Sequence, residues 1–273
     1  MIKHYDELTF TDDFLFCKIL SNNLSLCAGI IELILGIRVR KLVLAEKQKQ
    51  IEITADGRGI RLDVYVEDDH DTVFDLEMQT VTKPNIPKRS RYYQGMIDLN
   101  LIERGADFSE LRKSYVVFIC LDDASFGKGL PVYTFENRCR ECPELVFGDD
   151  SVKVVVNASS EDPRMTDGMR DFLGFLLNGH GNSDLVKRIE EDVRNARDKE
   201  AWRLEFMTLF MRDREKIAEG RAEGIVEGVA KGRFAAYAEL VRDGDMTIEK
   251  AAEKLQMGID EFKQKVKELS INL

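Results

Sequence analysis

The stretch Arg61 to Gln79, RLDVYVEDDHDTVFDLEMQ, decides how this chain is read. Its pattern predicts two short strands, Arg61 to Glu67 and Thr72 to Gln79, joined by the acidic turn Asp68–Asp69–His70–Asp71. Strand side chains alternate faces. Leu62, Val64 and Val66 therefore share one face of the first strand, and Asp63, Tyr65 and Glu67 the other. In the second strand Phe74, Leu76 and Met78 oppose Asp75, Glu77 and Gln79. A hairpin sets both polar faces on one side, where Asp63, Glu77 and Gln79 converge.

Clustered carboxylates repel one another unless a cation or a hydrogen-bond donor sits among them. A hard divalent cation suits oxygen ligands of this kind, and Mg²⁺ takes one or two carboxylates together with water and substrate phosphate. The same alternation fits the solvated face of an antiparallel sheet. Spacing alone leaves both readings open.

Asp63 followed by Glu77–Met78–Gln79 resembles the metal-binding core of the PD-(D/E)XK nuclease superfamily. Other segments resemble its recombination-promoting nuclease and transposase branch, the Rpn family. They are Thr11–Asp12–Asp13–Phe14–Leu15–Phe16–Cys17–Lys18, Pro87–Lys88–Arg89–Ser90–Arg91–Tyr92–Tyr93–Gln94 and Tyr115–Val116–Val117–Phe118–Ile119–Cys120–Leu121, with the glycine-punctuated tail. The likeness spans most of residues 5 to 235. Leu62 stands where the superfamily has Pro, and Gln79 where it has Lys.

The resemblance implies an α/β, restriction-endonuclease-like core, a mixed central sheet flanked by helices, followed by a helical C-terminal region. It implies a Mg²⁺-dependent DNA endonuclease linked to recombination or transposition, with Mn²⁺ able to substitute. Asp63, Glu77 and the Met78 carbonyl would hold the metal, and Gln79 would position water or a phosphate oxygen. Asp13 is a candidate further acid, although an Asp in a first helical turn is commonly helix-start chemistry. Lys83, Lys88, Arg89 and Arg91 would hold DNA. The rival reading is a catalytically weak or inactive nuclease fold that binds DNA or self-assembles, since Gln79 is neutral.

Charge argues against a nucleic-acid partner on average, with a net of −10. Its distribution matters more. Gln79 to Ile97 carries no acid and four basic residues, Lys83, Lys88, Arg89 and Arg91, directly after the acidic strands. No stretch reaches the ~18 apolar residues of a membrane span, and the N-terminus lacks a signal-peptide layout. Five cysteines, most of them within apolar runs, suit a reducing, cytoplasmic setting.

Along the chain, residues 9 to 36 predict one or two helices ending at Gly36. Lys41 to Ala45 predicts a strand. Ile51 to Thr54 and Ile60 to Val66, around the turn Ala55–Asp56–Gly57–Arg58–Gly59, predict a hairpin that completes a three-stranded meander. Pro84 and Pro87 delay the next helix to Lys88–Arg104, whose first turn offers Arg89, Arg91 and Gln94 to phosphate. Tyr115 to Leu121 predicts a strand buried on both faces, and Val132 to Asn137 and Val152 to Val156 predict two more. Cys139–Arg140–Glu141–Cys142 has no second pair or nearby histidines to make a zinc site.

Three regions follow: a nuclease-like core over 1–160, a helical extension over 161–215, and a glycine-punctuated helix with a small helical tail over 216–273. The extension predicts helices over Met165 to Leu177 and Leu185 to Arg214. Gly220, Gly224, Gly228 and Gly232 recur every four residues, at a cost of about 1 kcal/mol each in a helix. They predict either a loosely ordered segment or, the favoured reading, a close-packed partner helix, such as one from a second protomer in a homo-oligomer. Phe262, Val266 and Leu269 predict an apolar seam in the tail.

Overall fold

The computed structural model of the chain describes residues 3–47, 50–51, 60–81, 85–123 and 126–268. Lys83, Pro84 and Leu269 and the turn 55–59 lie outside the described residues. Residue contacts divide the chain into two units, Met1–Leu204 and Glu205–Leu273.

The first unit is a mixed six-stranded sheet flanked by helices. Its strands are β1 (Leu42–Lys47), β4 (Val64–Asp68), β5 (Val73–Gln79), β6 (Ser114–Cys120), β7 (Val132–Phe135) and β8 (Ser151–Asn157), in the order β1-β4-β5-β6-β8-β7. β1, β4 and β5 pair antiparallel, β5, β6 and β8 pair parallel, and β7 closes the far edge antiparallel to β8. The expected meander is revised. β2 (Gln50–Ile51) and β3 (Ile60–Arg61) form a separate two-stranded sheet, and Leu62–Asp63 interrupts the single strand expected from Arg61 to Glu67.

A parallel β5–β6 pair needs a crossover, and α3 (Ile86–Leu101) supplies it. The helix begins two residues before the expected Lys88, so Pro87 stands within its first turn. A proline is tolerated there because the first N–H groups of a helix have no intrahelical acceptor. The helix covers one face of the sheet: Ile86, Met96 and Ile97 pack with Tyr65, Val73, Val116, Phe118 and Val155. Gln94, expected to face phosphate, is buried instead and donates to Ser114 Oγ at 2.5 Å, tying α3 to β6.

The opposite face belongs to helices α1 (Asp13–Asn22) and α2 (Leu24–Leu35), which contact β4 and β1. They are separate because Asn23 ends one and caps the other, accepting from the Leu26 N–H. Gly36 takes the left-handed conformation (φ 66°) that closes α2, as its position predicts. α4 (Asp167–Asn178) and α5 (Asp184–Arg197) pack against these two. Strand β5 is buried along all seven residues. No described helix is long and apolar enough to cross a membrane by itself.

The second unit holds most of α6 (Glu200–Arg242) with α7 (Ile248–Lys254) and α8 (Ile259–Glu268). The helix expected over Leu185–Arg214 is thus broken between α5 and α6. Phe234, Ala238, Ala251, Ala252, Phe262 and Val266 form a small core, with the Phe234 and Phe262 rings 5.0 Å apart. Gly220, Gly224, Gly228 and Gly232 meet no described atom within 4 Å of an added Cβ. No described part of the chain is the close-packed partner that their spacing predicts. Alanine at Gly224 and Gly228 should therefore raise the helical melting transition, each change contributing up to about 1 kcal/mol. Circular dichroism melts check this, and a lowered transition would show that something packs on the glycine row.

Candidate active site

The break at Leu62–Asp63 is where the site is built. The Asp63 N–H donates to Glu77 Oε1 at 3.0 Å rather than to a strand carbonyl. In return the Met78 N–H donates to Asp63 Oδ2 at 3.2 Å. Each acid thus accepts a backbone bond from beside the other, which fixes two carboxylates side by side at 9% and 4% exposure. Glu77, Asp75 and Gln79 share one face of β5 by strand alternation. That face lies under α3, so the solvated outer face is ruled out: Asp75 is 0% exposed and Gln79 7%.

Asp13, Asp63, Glu77, Met78, Gln79, Arg89 and Tyr93 line one pocket of about 250 Å³. Two larger hollows lie elsewhere, near Arg138–Phe147 and between Leu8–Thr11 and the Phe175–His180 segment. Neither contains a pair of carboxylates, so size does not mark the site. Lys88 and Arg91 are exposed and outside the pocket lining.

Arg89, from the first turn of α3, reaches in. Its Nη1 donates to Gln79 Oε1 at 2.6 Å, and Nη2 donates to Tyr93 Oη at 3.3 Å and lies 3.9 Å from Glu77 Oε2. The guanidinium rests over the Phe118 and Tyr93 rings, 5.0 and 5.5 Å from their centroids. Gln79 Nε2 donates to the Val81 carbonyl at 2.7 Å. Four-residue spacing puts Arg89 and Tyr93 on a common helix face, legible in the sequence. Nothing in the spacing shows that this face meets β5.

Asp75 is the residue that motif reasoning passed over. Neither of its buried oxygens receives a hydrogen bond from a described donor. Its place two residues before Glu77 on the same strand face was the available signal. Burial first, then repulsion from Asp63, pushes the Asp75 carboxyl well above the ordinary range, against the weaker lowering effect of the Glu77 carboxyl beside it. Burial, then Asp75 and Asp63, does the same to Glu77, with Arg89 opposing both shifts more weakly.

When ionised, three carboxyls against one guanidinium leave a surplus of buried negative charge, which a cation would offset. Among the described residues no three His, Cys, Asp or Glu side chains stand as a closed metal cage. Two carboxylates at an open pocket suit instead a hard cation that keeps part of its water shell. The donor set fits a divalent ion of that type.

The raised carboxyls make stability depend on pH. The folded state holds these protons more tightly than the unfolded chain does. Their stabilising contribution is complete below the unfolded range, about pH 4, and is lost as pH rises through the raised values. Without divalent cations the thermal midpoint should fall between about pH 5 and pH 8, and Asp75→Asn should flatten the fall. Added cation should raise the midpoint more at the upper end, because it binds the ionised form. Thermal melts across this range check it. An unchanged profile in Asp75→Asn would remove this carboxyl cluster as the cause.

Comparison with known proteins gives one finding. Residues 10–129, somewhat under half the chain, match the family described as PD-(D/E)XK nuclease family transposase. No curated protein and no solved structure matches the chain.

Proposed function

Since the segment 10–129 belongs to the PD-(D/E)XK nuclease family transposases, we propose that the chain is a Mg²⁺-dependent DNA endonuclease serving recombination or transposition. The observation that carries this reading is the reciprocal Asp63–Glu77 arrangement, linked through backbone N–H groups in the lining of the pocket. Asp63 and Glu77 hold the metal, Mn²⁺ being an acceptable substitute, with the Met78 carbonyl and Asp13 as further candidate ligands. A divalent ion held there supplies Lewis-acid polarisation of the scissile phosphate and eases deprotonation of water. The backbone bonds to the two acids keep their oxygens oriented before substrate arrives. Exposed Lys88 and Arg91, joined by Lys83 in the preceding connection, contact the phosphate backbone and fix its register.

A plasmid-nicking assay tests this. The wild type should nick supercoiled DNA in Mg²⁺ and not in EDTA. Asp63→Ala and Glu77→Ala should each lose about 100-fold or more, at least the loss that disturbing a metal's supporting groups produces. Equal cutting by wild type and Asp63→Ala would overturn the site. Binding without cutting would favour the alternative, an inactive nuclease fold kept for DNA binding or assembly, to which the neutral Gln79 points.

The assembly proposal rests on α6. Met207, Met211, Ala218, Ala222, Ile225 and Val229 fall within a stripe about 60° wide at ~100° per residue, and all are exposed. Met211 is 55%, Ile225 58% and Val229 66% exposed. An isolated helix bearing four glycines is marginal in water, so burial of this stripe against a second copy is the stabilising contact proposed. Arg214 and Arg221 flank the stripe on one side and Glu215 and Glu219 on the other. Two parallel copies would therefore set a basic flank against an acidic one. Light scattering should give the full chain at least twice its monomer mass, and Met211→Glu with Ile225→Glu should return it to monomer. A monomeric wild type would reject the proposal.

A further inference from the structure

The position that carries lysine in the PD-(D/E)XK motif holds Gln79, so strand β5 brings no positive charge to the pocket. α3 does. Arg89 is the only basic residue among the described residues that line it, and its side chain is 22% exposed. Two hydrogen bonds, a 3.9 Å approach to Glu77 and two aromatic rings hold one planar group in place. A surface arginine that follows a DNA backbone is not restrained in this way. Exposed Arg91, two residues on, suits that task better.

Gln79 is equally committed. A guanidinium has only donors, so the Gln79 oxygen must face it. The amide nitrogen then meets the Val81 carbonyl, as observed. The neutral side chain serves as an acceptor that fixes the arginine. A lysine at 79 would confront Arg89 with a like charge and remove that acceptor.

We propose that Arg89 is the catalytic cation of this site, carried by helix α3 in place of the missing strand lysine, and that Gln79 is the positioning residue that anchors it. The proposal rests on the nuclease reading above. In the hydrolysis, water forms one P–O bond, one P–O ester bond breaks, and the departing oxygen gains a proton while water loses one. Arg89 is neither the acid nor the base of this step, since a guanidinium presents donors only. It supplies N–H donors and fixed charge to the phosphate oxygens as negative charge grows on them.

Four variants separate this role from a strand clamp: Arg89→Ala, Arg89→Lys, Gln79→Lys and the double variant Gln79→Lys/Arg89→Ala, each checked for folding by circular dichroism. Arg89→Ala should slow single-turnover cleavage about 10²–10³-fold. Duplex affinity, measured in Ca²⁺, should shift less than about threefold, because the Arg89 contact strengthens only as charge grows in the transition state. Arg89→Lys keeps charge without the fork and should fall between wild type and Arg89→Ala. Gln79→Lys alone should slow cleavage, while the double variant should recover at least about tenfold over Arg89→Ala, because charge returns to the motif position.

Mn²⁺ titration calorimetry on the protein without DNA gives a readout independent of cutting. Arg89→Ala should bind Mn²⁺ several-fold more tightly, since a cation competing for Glu77 is gone. An unchanged rate constant with weakened duplex affinity would make Arg89 a clamp and overturn the proposal. So would a double variant no faster than Arg89→Ala, or an unchanged Mn²⁺ affinity. If wild type and Asp63→Ala are equally silent on DNA, the nuclease reading itself has failed, whatever the Mn²⁺ measurement gives.

Discussion

Burying a carboxylate costs several kcal/mol unless a partner offsets the charge, and β5 buries two on one face of a central strand. The structure around it answers that cost. Asp63 leaves the β-ladder so that its N–H reaches Glu77, and its own carboxylate takes the Met78 N–H. Arg89 brings one positive charge from α3. No described backbone or guanidinium N–H reaches the Asp75 oxygens. The interruption before β4, the start of α3 and the depth of the pocket are parts of one electrostatic arrangement.

Placement of α3 is the second condition. As the crossover between two parallel strands, it must lie across the sheet, and six residues separate the end of β5 from its first turn. That brings Arg89 and Tyr93 to the carboxyl end of β5, with the Phe118 ring of β6 beneath the guanidinium. Open α/β sheets place their ligand sites at the carboxyl ends of parallel strands, and this pocket follows the same geometry. Gln94 and Ser114 add a buried bond that holds the helix to β6, so the arginine is positioned by packing as well as by its own contacts.

The second unit has a different physical character. Its small core is confined to the end of α6 and to α7 and α8. From Met211 to Arg233 every described α6 side chain is exposed. The glycine row and the apolar stripe diverge over most of their length: Gly220 lies opposite Met211, about 180° away at ~100° per residue, and the row drifts to the stripe's edge only at Gly232. The repeat that stands out in the sequence is therefore not the surface best suited to burial.

Much of this was legible in the residues themselves. Alternation fixed which side chains of β5 share a face, the unbroken apolar run of β6 announced a strand covered on both sides, and Gly36 marked a helix end, because each depends on local stereochemistry. The acidic pair and the lysine-to-glutamine departure were visible for the same reason. What tertiary structure alone decided was the surroundings. That the polar face of β5 is covered, that Asp75 lies within it without a backbone or guanidinium donor, and that Arg89 bonds to Gln79 all follow from where α3 crosses the sheet. Local pattern sets a side chain's direction, but only packing of distant segments sets its dielectric surroundings and its partners.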